Sequence, residues 1–301
     1  MVNSKIFVFD IETIPDLEAA RLLLNIPQAS DEEVLYYLAK YHFPKDNFIK
    51  PQSLLDNVTD AAIKGQQVNS NQEIAMRSPK EVFFKPLFHK VVAISFAEID
   101  IINYHGKEEF TLKNIRSGGQ VNSSEEDLLK GFFQYMENNL PRLVSFNGRS
   151  FDMGVLKYRA MKYAITSNIY QAGDKWNSYM SRYSPNWHCD LHEVLSDYYA
   201  SGKARLNDVC SIFNYPGKVD VDGSNVFDLY QMGEIQQIRD YCETDVLNTY
   251  LVYLNYALHV GIITVNHFAQ AKQQIVDFLT DNQAKKEHLA KFLSAWQKIG
   301  I

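Results

Sequence analysis

The chain has little cysteine. Cys189, Cys210 and Cys242 are its three, odd in number, far apart and without a CxxC pair. That excludes a disulfide framework or a paired-cysteine zinc site, and it reads as reduced thiols in a cytosolic protein. No apolar run is long enough to span a bilayer, and no basic segment leads into an apolar stretch near the start. A membrane association and a secretory signal are therefore not expected, and a cytoplasmic location is. Positive charge is also short: 30 Lys and Arg against 36 Asp and Glu leave a formal net charge of −6. A protein that coats nucleic acid needs a basic surface, because phosphate neutralisation dominates its affinity. An enzyme that grips a few nucleotides at a metal site needs much less. Internal repeats, heptad arrays and low-complexity linkers are absent as well.

What is present is material for a core. With 301 residues and 46% hydrophobic content, the chain can build one large domain, with or without an appendage. Ile6-Phe7-Val8-Phe9 reads as a buried strand and runs into Asp10-Ile11-Glu12-Thr13. Residues i and i+2 of a strand share a face, so Asp10 and Glu12 are expected side by side at its end, with Phe9 and Ile11 turned into the core. Carboxylates that close repel unless a cation neutralises them. Hard divalent ions such as Mg2+ or Mn2+ suit an all-oxygen site.

Pro15 is expected to stop this strand. Leu17 to Leu24 and Glu32 to Tyr41 have helical spacing, and the polar text that follows includes a surface loop between Gly65 and Gln72. Residues 17–79 thus read as a partly helical insertion. Val91 to Ala97 predicts a strand, and Asp100 to Tyr104 and Glu109 to Leu112 predict two more about a turn at His105-Gly106. Ser123 with Glu126 forms a capping-box pattern for a helix to about Asn138. Pro141 to Phe146 is a further strand, ended by Asn147-Gly148 and followed by a helix from Phe151 to Tyr163. Beyond that the chain reads as helical: Leu191 to Tyr199, Arg205 to Phe213, Asn225 to Gln231, Ile235 to Leu258, and an amphipathic tail on the outside. The sum is an α/β layered domain with a mixed central sheet flanked by helices.

Two more groups of acids follow. Asp152 sits near a helix N-terminus, where the dipole favours its charge. Tyr241 and Asp245 are four apart and share a helix face, while Glu243 points elsewhere as a solvated acid. Each alone also fits an ordinary surface residue. Taken in order, Phe9-Asp10-Ile11-Glu12-Thr13, Ser145-Phe146-Asn147-Gly148 with Phe151-Asp152, and Tyr241-Cys242-Glu243-Thr244-Asp245 resemble the DEDDy 3′→5′ exonucleases of the DnaQ-like, ribonuclease H-like superfamily. The wording is most similar to the exonuclease module of family B DNA polymerases, in its stand-alone predicted branch. The histidine subtype would carry His where this chain has Asp240. The resemblance runs from about Lys5 to Leu258. It implies a ribonuclease H-like domain over 1–260 that contains the insertion, and a helical extension over 261–301.

The resemblance implies that Asp10, Glu12, Asp152 and Asp245 hold two Mg2+ or Mn2+ ions, with Asp10 bridging them. Tyr241 would orient the attacking water or receive its proton. A tyrosine pKa near ~10 makes orientation the preferred role. Ile11, Thr13, Asn147, Phe151 and Arg149 are expected to meet the terminal nucleotide, with Lys157, Lys203 and Arg205 as further phosphate contacts. Asp190 is assigned a supporting role. His188 and His192 lack a third soft ligand and read as packing. The implied activity is hydrolysis at the free 3′ end of single-stranded nucleic acid, DNA before RNA, releasing nucleoside 5′-monophosphates. No polymerase-sized region follows, so action in trans, as in DNA repair, is expected. Other readings are an exoribonuclease, a related endonuclease, and a silent nucleic-acid-binding module whose insertion and C-terminal helices take a protein partner.

Overall fold

A computed structural model describes residues 4–56, 76–219 and 225–300. Its centre is one five-stranded sheet built from β1 (Lys5–Pro15), β2 (His89–Tyr104), β3 (Lys107–Ser117), β4 (Arg142–Ser145) and β5 (His188–Asp190), in the order β3-β2-β1-β4-β5. β2 and β3 are antiparallel, whereas β1–β4 and β4–β5 are parallel, with Ile6 opposite Arg142 and Val144 opposite Cys189. A mixed sheet with helices on its faces is the expected ribonuclease H-like α/β fold. β1 lies in the middle and is buried on both sides. Ile6 and Val8 enter one core with α9 (Ile235–His259), and Phe7, Phe9 and Ile11 enter the other with α4 (Glu125–Asn139) and α5 (Asp152–Lys162).

Several expectations shift. β1 continues through Asp10 and Glu12 to Pro15, so the two acids lie within the strand and not at its end. The two strands expected over 91–104 are one, with a register irregularity between Glu98 and Ile99. His105 and Gly106 both take left-handed backbone (φ 48° and 76°), which a tight hairpin matching the sheet twist requires. The helix expected from Ser123 is capped one residue later, by Ser124 with Asp127. The Ser123 hydroxyl instead accepts the Gln120 N–H.

The stretch expected to be helical from Leu191 to Tyr199 is helical only over α6 (Leu191–Val194). The Ser196 hydroxyl donates to the His192 carbonyl and accepts from the Tyr199 N–H, and the Tyr198 N–H returns to the Glu193 carbonyl. These bonds close a turn where a helix would have continued. β5 has no counterpart among the expected strands, since three residues carry no readable period. α7 (Leu206–Ile212), α8 (Val226–Gln231) and α9 appear close to their expected places.

The tail forms α10 (Val265–Asn282) and α11 (Glu287–Ile299), amphipathic helices on the outside as expected, each with one buried stripe. Ile275, Leu279, Leu289, Phe292 and Trp296 are fully buried in the core that holds Ile6, Val8 and α9. The Gln274 amide reaches across to the Leu112 N–H and the Phe110 carbonyl, fixing α10 on β3.

Residues up to 13 together with those from 91 onward form one compact unit, and residues 14–90 form another. The second unit holds α1 (Leu17–Leu24), capped by Asp16, and α2 (Asp31–His42), opened by a Ser30–Glu33 capping box. It also holds α3 (Gln52–Asp56) and buries Val34, Leu38, Phe48 and Phe84. The loop expected between Gly65 and Gln72 lies outside the described residues. Among the described residues no helix is long and apolar enough to cross a membrane.

Candidate active site

The alternation of β1 delivers two acids to one place. Asp10 and Glu12 continue the row begun by Ile6 and Val8, so they leave the apolar core on the side occupied by α9. There they meet Cys242, whose thiol lies 3.4 Å from the Asp10 carbonyl and 3.6 Å from its Oδ2 and donates to both. One ligand atom from each of Asp10, Glu12 and Cys242 falls within 4.8 Å of the others. Asp245 is one helical turn from Tyr241, and the two side chains share a hydrogen bond.

Asp152 comes from the other side of β1, as the first residue of α5. The turn before it is tightly specified. Asn147 takes φ 67°, and Gly148 is packed so closely that a Cβ would sit 2.5 Å from the Ser145 hydroxyl. The Asp190 carboxylate accepts the N–H groups of Asn147, Arg149 and His192 at 2.8, 2.8 and 3.0 Å. Its expected supporting role is thus to pin this turn to the end of β5. Asp152 then accepts the Ile11 N–H, which also bonds Asp10.

Electrostatics sets the character of the cluster. Burial holds Asp10 well above the usual carboxylate range, and the charges of Asp152 and Asp245 push it further. Glu12 is raised by burial and by Asp10, Asp245 and Asp152, with Lys218 pulling the other way. Burial pushes Asp152 up to about 7. Tyr241 is raised far above its ordinary value, first by burial and then by Asp245, Glu12 and Asp10. That shift keeps its O–H available as a hydrogen-bond donor. Burial and the neighbouring Asp10 also keep Cys242 a neutral thiol. Four carboxylates gathered so closely that Asp10 and Glu12 are raised by the others, with a protonated thiol as neighbour, make an all-oxygen donor set for a hard divalent cation.

A family model described as "Predicted 3′-5′ exonuclease related to the exonuclease domain of PolB" matches residues 81–296. The chain belongs to this family. The exonuclease match includes the turn that carries Asp152 and the α9 segment from Tyr241 to Asp245, and it starts after Asp10 and Glu12. It also takes in α10 and most of α11, beyond the point where the sequence motifs placed its end. Among curated proteins no match was found.

In this chain the structure brings Asp10, Glu12, Asp152, Tyr241 and Asp245 together, but three other expectations need correction. Arg149 is not a free phosphate contact. Its guanidinium donates to the Tyr179 and His188 carbonyls and lies 3.4 Å from the buried Glu193. Ile11 is buried through its side chain, and its N–H is spent on the two aspartates. Glu243 is no solvated acid: it is 2% exposed and accepts the Ser117 N–H and hydroxyl at 2.8 and 3.0 Å. Its second oxygen meets Lys286 at 2.7 Å and His288 at 2.9 Å. Burial pushes Glu243 up, but His288 and Lys286 override it and hold the acid below its usual range. Those partners are 126, 43 and 45 residues away, so no local pattern could announce them.

Of the remaining candidates, Asn147 accepts the Ser150 hydroxyl, and Phe151 is half-buried against the α4–α5 core. Thr13 is half-buried at the end of this unit. Lys203 lies over the Tyr199 ring at 4.2 Å, Lys157 is exposed, and Arg205 caps α7. His188 is a packing residue as expected, bonded at 2.7 Å to Ser145 and kept neutral by burial. Cys242 was missed as a neighbour of Asp10. Its spacing three residues before Asp245 was the available signal, because that places both on adjoining parts of one helix face.

Proposed function

We propose that this chain hydrolyses phosphodiester bonds at the 3′ end of single-stranded nucleic acid, DNA in preference to RNA, releasing nucleoside 5′-monophosphates. The observation that carries the reading is the convergence of Asp10, Glu12, Asp152 and Asp245, which come from one strand and two helices yet lie close enough that Asp152 and Asp245 raise the pKa of both Asp10 and Glu12. Those four residues would hold two Mg2+ or Mn2+ ions. When bound, such ions lower the pKa of water and neutralise charge on the phosphate and the leaving 3′ oxygen.

The chain's own groups supply the rest. The Cys242 thiol and the Ile11 N–H fix the Asp10 carboxylate, and Ile11 with the helix start orients Asp152. Tyr241, held neutral, offers an O–H that can turn from Asp245 to the attacking water and set its direction. Asp190 keeps the Asn147–Arg149 turn in the shape that presents Asp152 and the Asn147 amide to the terminal nucleotide. The test is loss of a 3′ label from single-stranded DNA and RNA of one sequence with Mg2+ or Mn2+. Asp10→Ala and Asp245→Ala should abolish it, and an internally cut circular strand would indicate an endonuclease instead.

A further inference from the structure

Between α5 and α7 the chain carries a cluster of rings and cations that the acid site does not use. The Arg182 guanidinium lies 5.0 Å from the Tyr199 ring centre and 5.9 Å from that of Tyr183. The Lys203 ammonium lies 4.2 Å from the Tyr199 ring. Tyr183 meets Tyr198 edge to face at 4.7 Å, and Tyr183 itself is 65% exposed.

The backbone under these rings is unusual. Asp197, Tyr198 and Tyr199 are consecutive and all left-handed, with φ of 49°, 54° and 76°. Side chains with a Cβ disfavour that region, and bulky ones most. Such strain persists where the surroundings over-determine it, and it concentrates at functional surfaces. Here the hydroxyl of Ser196 and the returning Tyr198 N–H hold the turn.

Two links tie the cluster to the acid site. Tyr199 lies beside Ser150, whose hydroxyl donates to Asn147. Buried Glu193 lies 3.0 Å from Arg182 and 3.4 Å from Arg149 on the same turn. Glu193 and Asp190 offset the two guanidiniums, and Lys203 supplies the positive charge left over.

Resting on the exonuclease reading, we propose that Arg182, Tyr183, Tyr199 and Lys203 form the track that holds the single strand on the 5′ side of the bond being cut. The exposed Tyr183 ring is a stacking face for a base, whatever its identity. The Tyr199 ring aligns two cations for consecutive phosphates through cation–π contacts. This arrangement lets an acidic chain hold a polyanion locally, without a basic surface overall.

The test is fluorescence anisotropy of fluorescein-labelled tetra- and hexadeca-thymidylate in EDTA, repeated with the matching uridylates to separate DNA from RNA. Tyr183→Ala should weaken the long oligomer about 5- to 150-fold and lower the long-to-short affinity ratio. Tyr183→Phe should restore it. Lys203→Ala should reduce the slope of log affinity against log salt by ~0.7. An unchanged ratio in Tyr183→Ala, or an unchanged salt slope in Lys203→Ala, overturns the track. Hydrolysis with Mn2+, measured in parallel, separates the two claims. Length-dependent binding without cleavage defeats the exonuclease reading and keeps the track, and cleavage without length-dependent binding does the reverse.

Discussion

Stripped of divalent ions, the protein should lose stability as pH rises, and Asp152→Asn should remove a large part of that loss. Burial raises Asp152 from its ordinary 3.8 to about 7, so the folded state favours the neutral acid. A group raised on folding contributes stability that is complete below its unfolded pKa and is lost as pH climbs through the folded value. The window here runs from about 3.8 to about 7, and the difference corresponds to about 4 kcal/mol at 1.36 kcal/mol per pH unit. Asp10 and Glu12 shift in the same direction and add to it. His89 and His188, kept neutral by burial, act oppositely, so the informative quantity is wild type minus variant. Thermal unfolding in EDTA near pH ~5 and ~8 would read it, as a difference in Tm on the order of 10 °C at the higher pH and roughly 4 °C at the lower, where about 1.6 kcal/mol is already lost. Mn2+ at about a hundred times its Kd should return about 2.7 kcal/mol at high pH, and less where the acids are protonated. Parallel pH profiles for wild type and Asp152→Asn in EDTA would refute the account of a carboxyl group raised by burial.

Other consequences are simpler to read. Tyr241→Phe should lower kcat about 10- to 100-fold while leaving Mn2+ affinity, measured by calorimetry, unchanged, because it removes an orienting O–H and not a ligand. Glu243→Ala strands Lys286, His288 and the Ser117 donors and should cost about 3–5 kcal/mol in urea unfolding; a change under 1 kcal/mol, on the order of an exposed ion pair, would contradict its burial. Arg149→Ala should destabilise the fold by about 1–3 kcal/mol without altering the salt dependence of oligonucleotide binding, since its donors already serve carbonyls. Asp190→Asn should lower activity through the Asn147–Arg149 turn, with little loss of Mn2+ affinity compared with Asp152→Asn.

The legible parts of this molecule are those whose cause is local. Strand alternation put Asp10 and Glu12 on one face, helical spacing put Tyr241 and Asp245 on another, and Asn147-Gly148 marked the turn before Asp152. Periodicity likewise found α7, α8 and α9 within a residue or two. It failed for β5, too short to show a period, and over 195–200, where side-chain hydrogen bonds replaced a helix by a strained turn.

The sequence by itself therefore determined the acids, their order and the family they point to, because each motif is a short-range pattern of backbone geometry. The tertiary structure alone decided what surrounds them. Cys242 touches Asp10 across 232 residues, Arg149 is consumed by carbonyls and Glu193, and Glu243 becomes a buried anchor between β3 and α11. It also decided which core the stripes of α10 and α11 cover, since an amphipathic stripe shows that a face must be covered and not what covers it. Burial, and with it the raised pKa of Asp10, Glu12 and Asp152, is a property of the assembled neighbours and has no counterpart in the order of residues.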